Sequence, residues 1–195
     1  MHLEPAFILA SASPRRRELL QQIGCHFSVA PADIDESVLE AESAGDYVTR
    51  MAMQKALAGW HANESRQLPV LGADTAVVLN EEIFGKPSGQ DDAVSMLSRL
   101  SGKTHRVLSA VAMVLGDKQQ LVLSETRVTF RPLSREECID YWQTGEPSDK
   151  AGGYAIQGLG AIFVSSINGS YSGVVGLPLA ETCQLLKAFD LSWWA

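Results

Sequence analysis

Ile8 to Leu20, ILASASPRRRELL, is the stretch whose reading decides the fold. A short apolar run stops at Ser11-Ala12-Ser13. Pro14 follows, and three arginines then open an amphipathic segment that ends at Gly24. The pattern reads as strand, tight loop and helix. Ser13 is a good N-cap, and Pro14 suits the first helical position, where its missing N–H costs nothing. Unpaired backbone N–H groups at such a start favour an anion. Arg15, Arg16 and Arg17 fall in that first turn, where cations oppose the helix dipole. Either this is a solvated basic helix start, or a bound polyanion such as a triphosphate offsets the repulsion.

The rest of the chain sets bounds on that choice. With 195 residues, 46% of them hydrophobic and 20% charged, it is long enough for one sizeable core or two small lobes around a cleft. It reads as a single domain, residues 1–195. No run of apolar residues is long enough to span a membrane. The first ten residues, MHLEPAFILA, lack a basic n-region and read as a first strand, not a signal peptide. Cys25, Cys138 and Cys183 are far apart and odd in number, which suits a reducing cytoplasm and forms no zinc pattern. A net charge of −7 argues against a nonspecific nucleic-acid partner. An anionic substrate would need a local cluster of Lys and Arg, helped by a divalent metal.

Outward from the first helix, His26 to Ala30 reads as a strand. The segment PADIDESVLEAES then carries five carboxylates, Asp33, Asp35, Glu36, Glu40 and Glu42. It is either an acidic loop running into a helix or a source of one or two carboxylates facing the basic helix start. Carboxylate plus phosphate is the usual way to hold Mg²⁺. Ser43 to His61 reads as a long helix with Tyr47, Val48, Met51, Ala52, Ala56 and Trp60 at helical spacing. Lys55 sits near that apolar face, where it either snorkels or reaches into a site. Leu68 to Leu79, LPVLGADTAVVL, reads as two buried strand signals interrupted at Gly72-Ala73-Asp74-Thr75. A lone Asp74 in so apolar a run must be paired, bind metal or act as a base, because burying an unpaired carboxylate costs several kcal/mol.

Asn80-Glu81 reads as a hairpin turn, and Lys86 stands in a loop just past the returning strand. Ser88 is expected to cap a helix that runs through Leu100 and ends at Gly102. The GKT at Gly102 to Thr104 is not a P-loop, because the required upstream glycine is Leu97. Val107 to Leu115 and Leu121 to Arg131 alternate as an antiparallel hairpin, with His105 and Arg106 expected at a strand-edge surface. Ser134 to Glu137 reads as a capping box opening a helix to about Thr144. The segment from Glu146 to Gly160 is Gly-rich and polar, so its backbone can approach a ligand. Within it Gln157 offers the donor and acceptor that reading a pyrimidine edge requires. Ala161 to Ile167 reads as a strand, Asn168-Gly169 as a hairpin turn, and Gly176-Leu177-Pro178 as the lead into a last helix. Hairpins flanked by helices argue an α/β fold: a mixed sheet with flanking helices and two lobes around a central cleft.

Six stretches occur here in the order of one known family: ASASPRR, VLGADT, GKP, LSGKTHRV, DKAGGYAIQG and NGSYSGVVGLPL. Nearly end to end, the chain resembles the Maf family, the septum-formation-inhibitor-like group of nucleoside triphosphate pyrophosphatases. That resemblance implies a fold similar to the inosine triphosphate pyrophosphatases. It implies hydrolysis of a nucleoside triphosphate to the monophosphate and pyrophosphate with Mg²⁺ or Mn²⁺. Asp74 then stands at the proton acceptor's position and is a metal ligand. Ser11, Ser13, Arg16, Lys55 and Lys86 stand at the triphosphate. Glu36 or Asp35 matches the acidic metal position, the register being open by one residue.

The DKAGGYAIQG form is similar to the branch acting on dTTP and UTP, with modified pyrimidine nucleotides as a further substrate class. In that branch Arg15, Thr75 and Gln157 hold the specificity positions. The EGSGI-like segment of the 7-methyl-GTP branch is absent, and Gly153 replaces a frequent alanine. The resemblance leaves room for a homodimer and for a link to cell-division arrest. The competing expectation is a nucleotide-binding regulator of septum formation that works through a protein or nucleic-acid partner.

Overall fold

The structure, a computed structural model, describes residues 4–64 and 67–194. Strand β1 (Phe7–Leu9) is buried along its length and leads through Ala10–Ser13 into α1 (Pro14–Gln22). Ser13 is the N-cap residue and Pro14 opens the helix, but the Ser13 hydroxyl does not cap it. Ser11 Oγ instead accepts from the Ser13 N–H, so the hydroxyl two residues earlier fixes the loop. Strand β2 (Phe27–Val29) follows and pairs parallel with β1. The acidic segment stays irregular up to Ser43, whose hydroxyl accepts from the Asp46 N–H and starts α2 (Ala44–Ala62). The side chains α2 buries, among them Val48, Met51, Ala52, Lys55 and Ala56, recur at spacings of three and four, one face of a helix.

Strand β3 (Val70–Leu79) is continuous, and Gly72 does not interrupt it. A Cβ at Gly72 would lie 2.3 Å from the Ala52 carbonyl oxygen and 2.4 Å from the Ala56 nitrogen. The glycine is there so that α2 can lie directly on the strand. Asn80 and Glu81, at φ of 51° and 65°, make the expected two-residue turn into β4 (Glu82–Phe84). Helix α3 (Gln90–Leu100) begins one residue later than the sequence suggests. Gly89 is its N-cap, and Asp92 accepts from the Ser88 N–H and hydroxyl. β5 (Thr104–Leu115) and β6 (Lys118–Phe130) form the long hairpin, and α4 (Arg135–Gln143) opens on a complete Ser134–Glu137 capping box. Short 3-10 turns then carry the Gly-rich segment.

β7 (Val164–Asn168) is shorter than the expected strand, and Asn168-Gly169 does not turn into another. Ser170 caps a short helix, α5 (Tyr171–Val175), before α6 (Leu179–Ala188). The hydroxyl of Ser170 accepts from the Gly173 N–H, a local signal that outweighs the turn propensity of Asn-Gly. His105 departs from its expected surface position. It is 1% exposed, hydrogen-bonded through Nε2 to Tyr154 Oη at 2.8 Å and edge-on to Phe130. Arg106, the next residue, points the other way to Glu81 and Glu125.

The strands form one seven-stranded mixed sheet in the order β2-β1-β3-β5-β6-β7, with β4 also on β3. Alternate residues of β3 feed two apolar layers. Leu71, Ala73, Val77 and Leu79 pack with residues from α1, α3, α4, α5 and α6, whereas Val70, Ala76 and Val78 pack with α2. Among the described residues no helix is long and apolar enough to cross a membrane.

Candidate active site

The site begins as a gap in the sheet. β1 pairs with β3 at Ile8–Val70 and Leu9–Leu71 and stops there, and β4 takes up that same edge of β3 at Val77. Between them, over residues 72–76, β3 has β5 on one edge and, among the described residues, no strand on the other. The chain leaving β1, at Ala10–Ser13, and the chain leaving β4, at Gly85-Lys86, border this gap. Neighbouring side chains of a strand point to opposite faces. Here both reach one cavity of about 520 Å³, a size suited to a small-molecule ligand. Asp74 looks toward α2, and Thr75 looks toward α5.

On the α2 wall, Lys55 is 8% exposed and does not snorkel. Its Nζ lies 2.8 Å from Asp74 Oδ1 and 2.6 Å from Glu36 Oε1. Asp74 is buried to the same degree, so a paired cation is what makes its charge tolerable. Glu36 is delivered by the irregular acidic segment, which two side chains of α2 fasten down. Tyr47 Oη donates to the Glu36 carbonyl, and Arg50 donates to the Ser37 carbonyl and grips the Glu42 carboxylate. Burial pushes the Glu36 carboxyl up, but Lys55, Lys86 and Arg16 together hold it below its ordinary value. Burial, with Asp74 and Glu36 nearby, pushes the Tyr47 phenol up to about 12.

On the opposite wall stand the start of α1, the end of α5 and the Gly-rich segment. Arg16 donates through Nη1 to Ser11 Oγ and through Nε to the Gly176 carbonyl, both at 3.0 Å. Burial lowers the Arg16 guanidinium from its ordinary value, against the pull of Asp74. Arg15 turns to Asp149, 3.0 Å away. Arg17 is exposed and lines no part of the cavity. Thr75 Oγ1 lies 3.0 Å from Ser109 Oγ and 3.4 Å from the Gly176 carbonyl oxygen.

The cavity thus brings together Ser11, Ser13, Arg15, Arg16, Glu36, Lys55, Asp74, Thr75, Lys86 and Gln157. Asp35 is the exception. Its carboxylate is exposed and held by the Ser37 N–H and hydroxyl, which lower its pKa, and it lies off the cavity wall. Of the two acidic residues at that open register, Glu36 is the one on the cavity wall. Sequence reasoning missed Asp149, Lys150 and the Gly176 carbonyl. The adjacent Asp149-Lys150 pair in a Gly-rich loop was a usable signal, whereas a backbone acceptor carries no residue-type signal at all.

A divalent metal would meet a sparse donor set. Among the described residues no three of His, Cys, Asp and Glu cluster closely enough to hold a metal ion. Glu36 and Asp74 offer two carboxylates that converge on one cationic nitrogen. That fits Mg²⁺, which is commonly held by one or two carboxylates with water and phosphate oxygens supplying the remaining positions.

Although the whole chain is acidic, the cavity wall carries Arg15, Arg16, Lys55, Lys86 and Lys150 against Glu36, Asp74 and Asp149. Fold and site together define an α/β protein with a cationic small-molecule cleft at an interrupted sheet edge. More narrowly, the chain belongs to the Maf-like protein family, which it matches over residues 6–189. It is 54% identical over 188 residues to a protein of Saccharophagus degradans named dTTP/UTP pyrophosphatase, covering 95% of this chain and 90% of that one. A Hahella chejuensis protein of the same name is 52% identical over 189 residues, covering 96% and 94%. Among solved structures the Staphylococcus aureus Ham1 protein aligns with a TM-score of 0.49 at 12% identity, over 94% of this chain and 97% of that one.

Proposed function

We propose that this protein is a nucleoside triphosphate pyrophosphatase that converts dTTP and UTP to the monophosphate and pyrophosphate. One observation carries the reading: a single buried carboxylate, Asp74, faces the same cavity as the half-buried Arg16 guanidinium and three lysines. Phosphoanhydride hydrolysis needs that combination of a proton acceptor and fixed positive charge. The names of the relatives, together with the Gln157 and Thr75 side chains on the cavity wall, support a pyrimidine base.

In this mechanism Arg16, Lys55 and Lys86 neutralise the phosphates, and Ser11 holds Arg16 in place. Asp74 takes a proton from water as the water oxygen bonds to the α-phosphorus. The bond from that phosphorus to the bridging oxygen breaks, and pyrophosphate leaves. Glu36 and Asp74 would hold a divalent cation such as Mg²⁺ or Mn²⁺, which supplies charge neutralisation on the phosphate oxygens. Arg15, Thr75 and Gln157 choose the base.

The test is pyrophosphate release from dTTP, UTP and the other common nucleoside triphosphates, with and without Mg²⁺ or Mn²⁺. The wild type should turn over dTTP and UTP, and Asp74→Asn should lose roughly two or more orders of magnitude in kcat while keeping its circular dichroism. A folded Asp74→Asn protein with near wild-type turnover would remove Asp74 from the role of base. Tight nucleotide binding by the wild type without turnover would favour a nucleotide-sensing regulator.

A further inference from the structure

Thr75 and its partners form a chain of hydrogen bonds whose direction can be worked out. Ser109, on β5 directly opposite Thr75, is 1% exposed and lines no part of the cavity. Its hydroxyl lies 2.6 Å from the Gly173 carbonyl oxygen, an atom that can only accept. That carbonyl has no helical partner. The Gly176 and Leu177 N–H groups both go to the Ser172 carbonyl, and residue 178 is a proline. The single Ser109 proton is therefore committed to Gly173, because leaving a buried carbonyl unpaired is costly. At the 3.0 Å contact between the two hydroxyls Ser109 must accept and Thr75 must donate. The one other protein partner of Thr75 Oγ1 among the described residues, the Gly176 carbonyl at 3.4 Å, is also an acceptor. Either way the Thr75 proton points into the protein, and only lone pairs face the cavity.

A hydroxyl fixed in this way cannot bond a phosphate oxygen, which has no proton to give at neutral pH. It pairs only with a ligand N–H or O–H. We infer that Ser109 is a specificity-positioning residue: it locks Thr75 as an acceptor for the N3–H of a uracil or thymine ring. The inference rests on the pyrimidine reading proposed above. Uracil and thymine carry one N–H on the edge that pairs with other bases, at N3, flanked by two carbonyl acceptors. Cytosine presents a lone pair at N3, which would face the Thr75 lone pairs with no proton between them. A site built to accept from an N–H discriminates strongly against an analogue that lacks it.

UTP and CTP share sugar and phosphates and differ only on this edge, so the ratio of their kcat/KM values is the readout. The variants are Thr75→Val, Thr75→Ser and Ser109→Ala, each checked for folding by thermal melting. The wild type should favour UTP. Thr75→Val should cut the UTP-to-CTP ratio by about tenfold or more, and Thr75→Ser should keep it. Ser109→Ala leaves the Thr75 proton only the 3.4 Å contact, which is too long to hold it firmly. The hydroxyl can then turn and donate, so the ratio should fall partly through a gain on CTP, an effect that loosened packing would not give. An equal loss on both substrates in Thr75→Val would place Thr75 at the sugar and overturn the inference. So would a wild-type ratio in a folded Ser109→Ala protein. A wild type that turns over CTP as well as UTP would remove the base-choice reading itself, and this inference with it.

Discussion

At the scale of single residues, the site turns on a lysine shared by two carboxylates. Lys55 and Asp74 are both buried; Lys55 makes the Asp74 charge tolerable, and Asp74 and Glu36 together do the same for Lys55. Lys55→Met should therefore destabilise the fold by about 3 kcal/mol, a drop in Tm of roughly 10 °C for a chain of this size. Adding Asp74→Asn to that variant removes the stranded charge and should restore more than half of the loss. Strictly additive melting temperatures in the single and double variants would show that the pair is not coupled. Asp74 stood out in the sequence because a lone acid in the run VLGADTAVVL must be paired, bind metal or act as a base. Lys55 did not, because a lysine on the rim of an apolar helix face snorkels or reaches inward according to what lies beneath it. Here what lies beneath is β3, brought close by Gly72. Glu36 and Asp35 could not be separated either. Their order is decided by where Tyr47 and Arg50 grip the loop backbone, and loop backbone carries no periodicity.

At the scale of elements, the second half of the Gly-rich segment is held by one carboxylate. The Glu146 carboxylate accepts from Tyr141 Oη at 2.6 Å and from the Leu159 and Gly160 N–H groups at 3.0 Å. Tyr141 Oη in turn accepts from the Ala155 N–H. Residues 155–160, which carry Gln157, are thus stitched to the end of α4. Gly158 belongs to the same device, since a Cβ there would fall 2.1 Å from Glu146 Oε2. Burial pushes the Glu146 carboxyl up, but these bonds hold it below its ordinary value. The clamp is therefore intact above the usual carboxylate range and weakens as pH falls through its lowered pKa. Glu146→Ala should raise KM for nucleotide severalfold with a smaller effect on kcat, and speed amide exchange of Leu159 and Gly160. Unchanged exchange at those two amides would mean that other contacts hold the loop. The segment's glycines were visible in the sequence and its clamp was not, because a glutamate at the start of a polar loop looks like any solvated charge. Helix α5 was hidden for a related reason: Asn168-Gly169 is a strong turn signal, and only the Ser170 cap, a tertiary neighbour of Thr126, redirects it.

At the scale of the whole molecule, the hairpins and amphipathic helices announced a mixed α/β fold. The gap along β3 that makes the cavity depends on which strands stop short, and strand ends are set by pairing partners far away in sequence. His105 belongs to this scale, since its setting comes from three distant parts of the chain: β5, Phe130 on β6 and Tyr154 of the Gly-rich segment. Burial drops its pKa to about 4, from an ordinary value of 6.5. The unfolded chain therefore takes up the proton first as pH falls. Stability tied to this group is fully present above about pH 6.5 and is lost progressively toward pH 4. Between pH 8 and pH 5 the loss should amount to about 2 kcal/mol. That window lies largely above the carboxylates: the Arg50 pair lowers Glu42 to about 2, and the Arg131 bond lowers Glu137 to about 2. Urea unfolding at pH 8, 6.5 and 5 measures the effect directly. The wild-type midpoint should fall steadily across the series, and His105→Gln, which cannot gain a charge, should flatten it whatever its starting stability. A wild-type midpoint equal at pH 8 and pH 5 would mean that the imidazole reaches water in the folded state, and that the layer beneath the cavity is looser than its packing implies.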